Sequence, residues 1–135
     1  MTNLPEPRVP LDQTLDAKLG FQVDEFEPGR VTGHFEVTDA HKQPYGIVHG
    51  GVHAAFAESL ASIGTFRVVA ENGSIAMGMS NNTSFLRSMT EGTAYGEAIA
   101  IQQGRTTWIW DVTIRDADQN TVAVSRMTIA VRQPR

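Results

Sequence analysis

One long helix-forming segment lies in the middle of the chain, and strand-forming segments follow it. From Gly50 to Val69 apolar residues recur at spacings of three and four, and Asn72-Gly73 ends this pattern. Four segments that favour strands then run to residue 132, with short turn sequences between them: 74–87, 93–102, 106–115 and 121–132. Short connections between successive strands indicate antiparallel neighbours. The sequence therefore predicts a helix followed by an antiparallel sheet.

A further strand precedes the helix. Val31, Phe35 and Val37 alternate with polar residues, and Glu27-Pro28-Gly29 supplies a turn before them. We therefore expect an α+β fold in which the long central helix packs against a five- to six-stranded antiparallel sheet. Residues 1–19 are expected to be an N-terminal segment in which 11–19 favour a short helix. Residues 20–135 are expected to form the single domain.

Composition excludes several classes of protein. The net charge of −4 does not fit a nucleic-acid-binding protein, which needs a clustered basic face. The sequence has no apolar run of about 18 residues, so we expect no membrane span. Cysteine is absent, which excludes a cysteine nucleophile and thiolate metal ligands and favours a cytoplasmic location.

Glu58 is the only charged residue between Gly50 and Phe66. At 100° per residue the predicted core stripe consists of Val52, Ala55, Phe56, Ser59, Leu60 and Ile63. The opposite face consists of Gly51, Ala54, Glu58, Ala61, Ser62 and Thr65. Small residues there let a second backbone or a ligand approach, so we expect Glu58 in a crowded, partly dry place where it is a stronger base. The alternative is an exposed surface glutamate.

The start of the helix is the second candidate feature. His49-Gly50-Gly51 places two glycines where backbone N–H groups have no partner within the helix, and such amides can bind a carbonyl oxygen or oxyanion. The alternative is a tight turn with no chemical role. Ser62, one turn beyond Glu58, can bond to the carboxylate or to a water, or can serve only close packing.

Gly50 and Glu58 cannot act on one substrate from a single helix. Eight residues at 1.5 Å per residue place them about 12 Å apart, whereas reacting atoms must approach to about 3–3.5 Å. If both act, they come from two subunits, which predicts at least a dimer.

Other chemistries fit poorly. His49 and His53 have the spacing of a zinc-binding helix, but the glutamate of that motif is missing, and we expect no metal site. The sequence also lacks a Gly-x-Ser-x-Gly elbow and a glycine-rich phosphate loop.

The segment Gln43-Pro44-Tyr45-Gly46-Ile47-Val48-His49-Gly50-Gly51-Val52, with Glu58-Ser59 and Ser62 after it, resembles the hotdog-fold thioesterases. The branch it resembles is the phenylacetate-degradation (PaaI-like) type, with its glutamate-dependent 4-hydroxybenzoyl-CoA thioesterases. The resemblance extends over residues 20–132 through Phe85-Leu86-Arg87, Glu91-Gly92 and Gly104-Arg105-Thr106.

This resemblance implies a role for each matching residue. Glu58 matches the catalytic carboxylate, which acts as nucleophile or general base. Gly50 matches the residue whose amide polarises the thioester carbonyl from the neighbouring subunit. Gln43 and His49 match polar residues that orient the substrate or the start of the helix, and Ser62 matches a hydroxyl that positions water.

The resemblance also implies contacts with coenzyme A. Arg87, Arg105 and Thr106 fall where the family holds the pantetheine arm and the nucleotide phosphates; either arginine can instead be an ordinary surface charge. Gly51 and Phe85 complete the expected substrate contacts. An acyl pocket of Phe56, Phe85, Trp108 and Trp110 would favour aromatic or medium-chain acyl groups, although tryptophans in such a strand more often belong to the core.

The expected activity is that of an acyl-CoA thioesterase that needs no cofactor, because coenzyme A is part of its substrate. The implied assembly is a homodimer, and two dimers pair into a tetramer. The alternatives are a hydratase or dehydratase, whose histidine motifs are absent, and a non-catalytic acyl-CoA-binding protein. The chain has no histidine after His53, unlike related enzymes that act on carrier-protein thioesters.

Overall fold

The structure, a computed structural model, describes residues 5–133. Its helices are α1 (Leu15–Leu19) and α2 (Gly50–Val69), and 3-10 turns lie at Leu11–Gln13, Asp39–His41 and Ala70–Asn72. Its strands are β1 (Gln22–Glu27), β2 (Arg30–Glu36), β3 (Ile75–Phe85), β4 (Thr93–Gln103), β5 (Thr107–Arg115) and β6 (Thr121–Arg132). Residues 1–4 and 134–135 of the two predicted segments lie outside the described residues.

The strands form one antiparallel sheet in the order β1-β2-β4-β5-β6-β3. Strand β3 follows α2 but lies at the far edge of the sheet, where it pairs with β6 alone. The predicted arrangement of one long helix against an antiparallel sheet is confirmed, with six strands, and α2 has the predicted bounds.

A pair of glycines lets α2 approach the sheet closely. Gly33 of β2 pairs with Gly96 of β4. A Cβ on Gly33 would lie 2.9 Å from Leu60 Cδ2, and a Cβ on Gly96 would lie 2.7 Å from Leu60 Cδ1. Leu60 therefore occupies a depression that only glycine leaves open, and it is 1% exposed.

The buried face of α2 differs from the predicted stripe. Val52, Phe56 and Leu60 are buried as expected, but Ala61 and Thr65, predicted on the opposite face, are buried as well. Ala55, Ser59 and Ile63 of the predicted stripe are only half-buried, so the buried face is rotated about the helix axis relative to the prediction. The prediction failed because it followed apolar side chains, whereas the small residues Ala57 and Gly64 let the sheet pack closely on this face. No helix within residues 5–133 is long and apolar enough to cross a membrane.

Both tryptophans belong to the core. Trp110 Nε1–H donates to Thr65 Oγ1 at 2.8 Å, and the Thr65 hydroxyl donates to the Ala61 carbonyl at 3.0 Å. These buried polar atoms are thereby paired, as burial requires. Trp108 stacks on Trp110, and Phe56 is fully buried. The core, favoured for the tryptophans, is therefore confirmed, and Phe56, Trp108 and Trp110 do not line an acyl pocket.

Candidate active site

One amide in the first turn of α2 has no partner among the residues that the structure describes. His49 caps the helix, because its Nδ1 accepts the Gly51 N–H at 2.8 Å. The Val52 N–H donates to the His49 carbonyl at 2.9 Å, whereas the Gly50 N–H has no acceptor within residues 5–133. Of the two glycine amides that the sequence offered, only that of Gly50 is available to a ligand.

A cavity of about 610 Å³ lies at this end of the helix. It brings together six of the predicted site residues: Gln43, His49, Gly50, Gly51, Phe85 and Arg87. Much of the remaining wall is apolar and comes from Ile47, Val48, Leu86 and Met89. A pocket with an apolar wall and a few polar groups is typical of a small-molecule site.

Two polar groups of this wall are placed by local contacts. The Gln43 Oε1 accepts the Tyr45 N–H, so the side-chain amide of Gln43 is fixed at the turn that precedes α2. Arg87 lies on the other wall with its side chain 58% exposed, and its Nε is 3.9 Å from Asp116 Oδ2. That distance makes a loose ion pair, so the guanidinium can still engage an anionic ligand.

Glu58 lies outside this cavity. It is exposed in the single chain and packs against β3, where a Cβ on Gly78 would lie 3.5 Å from its Oε2. The crowded, partly dry environment expected for Glu58 is therefore not provided by one chain alone. Ser62 is half-buried one turn further on, and no hydrogen bond joins it to Glu58 in the described part of the chain.

Asn81 of β3 contacts Glu58, and the sequence did not indicate this contact. Its Nδ2 donates to Glu58 Oε1 at 3.3 Å and to the Ala54 carbonyl at 2.9 Å. No motif marks this residue, because its side-chain direction depends on a local irregularity of β3.

Arg105 and Thr106 are not brought to the cavity beside Gly50. They border a separate depression at the turn between β4 and β5, together with Ile101 and Ile109. A role for these two residues in binding the substrate at the Gly50 cavity would therefore require a second chain.

His53 is the buried titratable residue of the cavity wall. It is 3% exposed, and its Nδ1 has no hydrogen-bond partner within residues 5–133. Burial lowers the pKa of His53 to about 4, and the nearby His41 acts in the same direction. His53 is thus a neutral imidazole near neutral pH.

The two helix histidines do not form the zinc pair that their spacing resembles. Nδ1 of His49 is occupied by the helix cap. Between residues 5 and 133 no three His, Asp or Glu side chains converge closely enough to hold a metal ion.

The thioesterase superfamily profile matches residues 45–123. The 1,4-dihydroxy-2-naphthoyl-CoA hydrolase of Listeria monocytogenes is 35% identical over 121 residues, which are 90% of this chain and 98% of that protein. Two solved structures are each 29% identical with a TM-score of 0.85. A Pseudomonas aeruginosa thioesterase matches 89% of this chain and 86% of its own, and a Staphylococcus aureus thioesterase matches 89% and 98%.

The profile match includes the start of α2, Glu58 and every residue named for the cavity except Gln43. The chain therefore belongs to the thioesterase superfamily, with the hotdog fold, and is a thioester hydrolase.

Proposed function

We propose that this protein hydrolyses acyl-CoA thioesters in a site formed by two copies of the chain. Glu58 of one copy acts as nucleophile or general base, and the Gly50 N–H of the other copy polarises the thioester carbonyl. The observation that carries this proposal is the separation of the two groups in one chain. Gly50 borders the cavity with an amide that has no acceptor in the described part of the chain, whereas Glu58 lies outside the cavity against β3.

The roles of Gly50 and Glu58 follow from where negative charge develops on the thioester during hydrolysis. When the thioester carbon becomes tetrahedral, its oxygen gains negative charge, and the Gly50 N–H bond to that oxygen strengthens. The N-terminal end of α2 adds its positive dipole. Glu58 either attacks the carbon to give an anhydride, which water then hydrolyses, or removes a proton from the attacking water. In both routes the bond from carbon to sulfur breaks and coenzyme A leaves as a thiolate, which becomes the thiol by taking a proton from the water consumed in the reaction.

Strand β3 supports the assembly that this proposal needs. It is an edge strand, and its apolar residues Ile75, Met77 and Met79 are 48%, 51% and 60% exposed. Long exposed apolar edges are unusual because they invite pairing with another strand. Two β3 strands joined across a two-fold axis would give a symmetric dimer and bring a second chain to the strand that Glu58 contacts. Pairing of two such dimers into a tetramer is a further part of the proposal.

Relatives support the choice of Glu58 and Gln43. The Staphylococcus aureus thioesterase has been crystallised as a glutamine-to-alanine and as a glutamate-to-alanine variant. Those two substituted residues are 15 positions apart, as are Gln43 and Glu58. The same pair of residue types at the same spacing is what a shared site requires.

The cavity supports an aromatic or medium-chain acyl group. Its apolar residues, with Phe85, offer the kind of surface on which a flat ring or an alkyl chain loses water. The Listeria monocytogenes relative is named for an aromatic acyl-CoA. We assign Arg87 to the coenzyme A end of the substrate, and Arg105 and Thr106 to the same end from the second chain.

Mixing two inactive variants tests the two-chain site. Glu58→Gln removes the carboxylate, and Gly50→Pro removes the amide donor. A mixed dimer would hold one doubly damaged site and one intact site. Release of the thiol from acyl-CoA, assayed with a chelator present, should therefore return after subunit exchange to about half the wild-type rate per mixed dimer.

Failure of this recovery in proven heterodimers of folded variants would mean that each chain builds its own site. Binding of acyl-CoA without thiol release by the wild-type protein would instead favour a non-catalytic acyl-CoA-binding protein. Activity that the chelator abolishes and zinc restores would contradict a metal-free site.

A further inference from the structure

Asn81 joins the carboxylate of Glu58 to the body of α2. One of its two Nδ2 hydrogens is donated to Glu58 Oε1 at 3.3 Å, and the other to the Ala54 carbonyl at 2.9 Å. Because Ala54 precedes Glu58 by one helical turn, Asn81 holds the carboxylate relative to the helix axis. No ion pair involving Glu58 occurs in the part of the chain that the structure describes, so Asn81 is the one donor that it supplies to this carboxylate.

The other end of the Asn81 amide is fixed as well. Its Oδ1 accepts from Thr83 Oγ1 at 2.6 Å, and Ser125 Oγ lies 3.4 Å from the same oxygen. A flipped amide would place Oδ1 against the Ala54 carbonyl and the Glu58 carboxylate, which are acceptors only. The direction of the amide is therefore determined by its partners.

These contacts form a chain of donors that ends at Glu58. Ser125 is 5% exposed, and its Oγ lies 2.8 Å from Thr83 Oγ1. Because the single Thr83 proton goes to Asn81, the hydroxyl of Ser125 donates to Thr83. Hydrogen bonds in such a chain polarise one another, and each step increases the pull of the Asn81 N–H on the carboxylate.

A β-bulge places Asn81 on the helix side of β3. Gly78 pairs with Ile129 and Ser80 pairs with Thr128, so Met79 is the extra residue. Regular alternation from Gly78 would direct Ser80 and Asn82 toward α2. The bulge shifts the alternation by one, and Asn81 and Thr83 face Glu58 and Ser125 instead.

We infer that Asn81 is a positioning residue that holds the Glu58 carboxylate in its reactive orientation. The inference rests on the proposed role of Glu58. Asn81 does not touch the substrate in this assignment; it acts through Glu58, and Thr83 and Ser125 act through Asn81.

Two substitutions of Asn81 and one matched control test this inference. Asn81→Asp keeps the shape but replaces the donor with a second carboxylate, which disfavours the ionised form of Glu58. The acidic limb of the kcat/KM profile should move up by about one pH unit. Asn81→Ala removes the donor without adding charge and should lower kcat about tenfold, the scale of one hydrogen bond to a charged group, with KM within about twofold.

Asn82→Asp is the control, because it adds the same charge at the next residue of β3, on the opposite face of the sheet. Its acidic limb should stay at the wild-type position. Thr83→Val should lower kcat in the same direction as Asn81→Ala but by less, about threefold, because the donor itself remains. Thermal unfolding of each variant establishes that the fold is kept.

The outcomes separate this inference from the proposed function. If Glu58→Gln abolishes activity while Asn81→Asp leaves the acidic limb in place, Glu58 is catalytic and Asn81 does not position it. An equal shift in Asn82→Asp overturns the inference too, because the effect would then come from charge anywhere on β3. Full activity of Glu58→Gln would instead remove the proposed function.

Discussion

The ring of Phe85 lies directly against the α-carbon of Gly50. A Cβ on Gly50 would be 2.9 Å from Cε1 and Cζ of that ring, closer than carbon atoms pack without a shift. Phe85 is 55% exposed, so its ring can move by a few tenths of an ångström. This contact makes it possible to separate the effect of added bulk at residue 50 from the effect of losing the amide proton.

Gly50→Ala and Gly50→Pro form the pair that makes this separation. Both add a Cβ beside Phe85, but only proline removes the N–H, and proline is well tolerated at the first position of a helix. We expect kcat for Gly50→Pro to be about 10²–10³ lower than for Gly50→Ala, the scale of one oxyanion donor. Equal rates for the two folded variants would show that the amide has no catalytic role.

Substitution of Glu58 should affect catalysis far more than stability. Glu58→Gln is expected to lower kcat by about 10²–10⁴, the scale of a general base, while the exposed side chain costs little stability. Ser62→Ala should cost about tenfold, because water can partly replace a hydroxyl. A Glu58→Gln enzyme that retains more than about a tenth of the wild-type rate would exclude Glu58 as the catalyst.

Substrate preference should follow the apolar wall of the cavity. We expect kcat/KM to be higher for benzoyl-, phenylacetyl- and octanoyl-CoA than for acetyl-CoA in an assay of thiol release. Phe85→Leu should reduce the preference for the aromatic substrates, because Phe85 is the one phenylalanine among the cavity residues that the structure describes. A protein that prefers acetyl-CoA would contradict the proposed acyl group.

His53 should make the fold sensitive to acid. Its pKa is lowered to about 4 in the folded chain, whereas an unfolded histidine has a pKa near 6.5. Below about pH 6.5 His53 is therefore protonated in the unfolded chain while it stays neutral in the folded chain. The contribution of His53 is fully present above that pH and falls by about 3 kcal/mol on the way to pH 4.

Urea unfolding of wild-type protein and His53→Gln at pH 7, 5.5 and 4 measures this contribution. The carboxylates titrate in both proteins, so the difference between the two curves isolates the imidazole. Parallel curves would mean that His53 is protonated equally in the folded and unfolded chain.

The bounds of α2 and the identity of the strands were predictable because Gly, Pro and Asn residues separate segments of clear periodicity. The faces of α2 were less predictable. Thr65 was placed opposite the core, yet it is buried and bonded to Trp110. Apolar spacing does not indicate that a face of small residues packs against the sheet.

Some residues of the candidate site were also predictable from the sequence, and others were not. Gln43, His49 and Gly50 are close in sequence, and they lie close together in the structure because one turn and one helix start hold them. Asn81 was not predictable, since its direction depends on the bulge at Met79. For the tryptophans the sequence left a pocket as the alternative to the core, because aromatic composition alone does not distinguish a core from a binding surface.

The position of β3 in the sheet sets an order of events during synthesis. Strand β3 is synthesised before β4, β5 and β6, yet among the described strands it pairs with β6 alone. Ile75 at the start of β3 therefore has no partner until Arg132 has been synthesised. Such distant pairing is slow to form, and the apolar edge stays unpaired until β6 has emerged. Asn81 takes its position beside Glu58 only when β3 has paired with β6. A nascent chain that ends before β6 would therefore contain every predicted catalytic residue but would lack the contact that orients the Glu58 carboxylate.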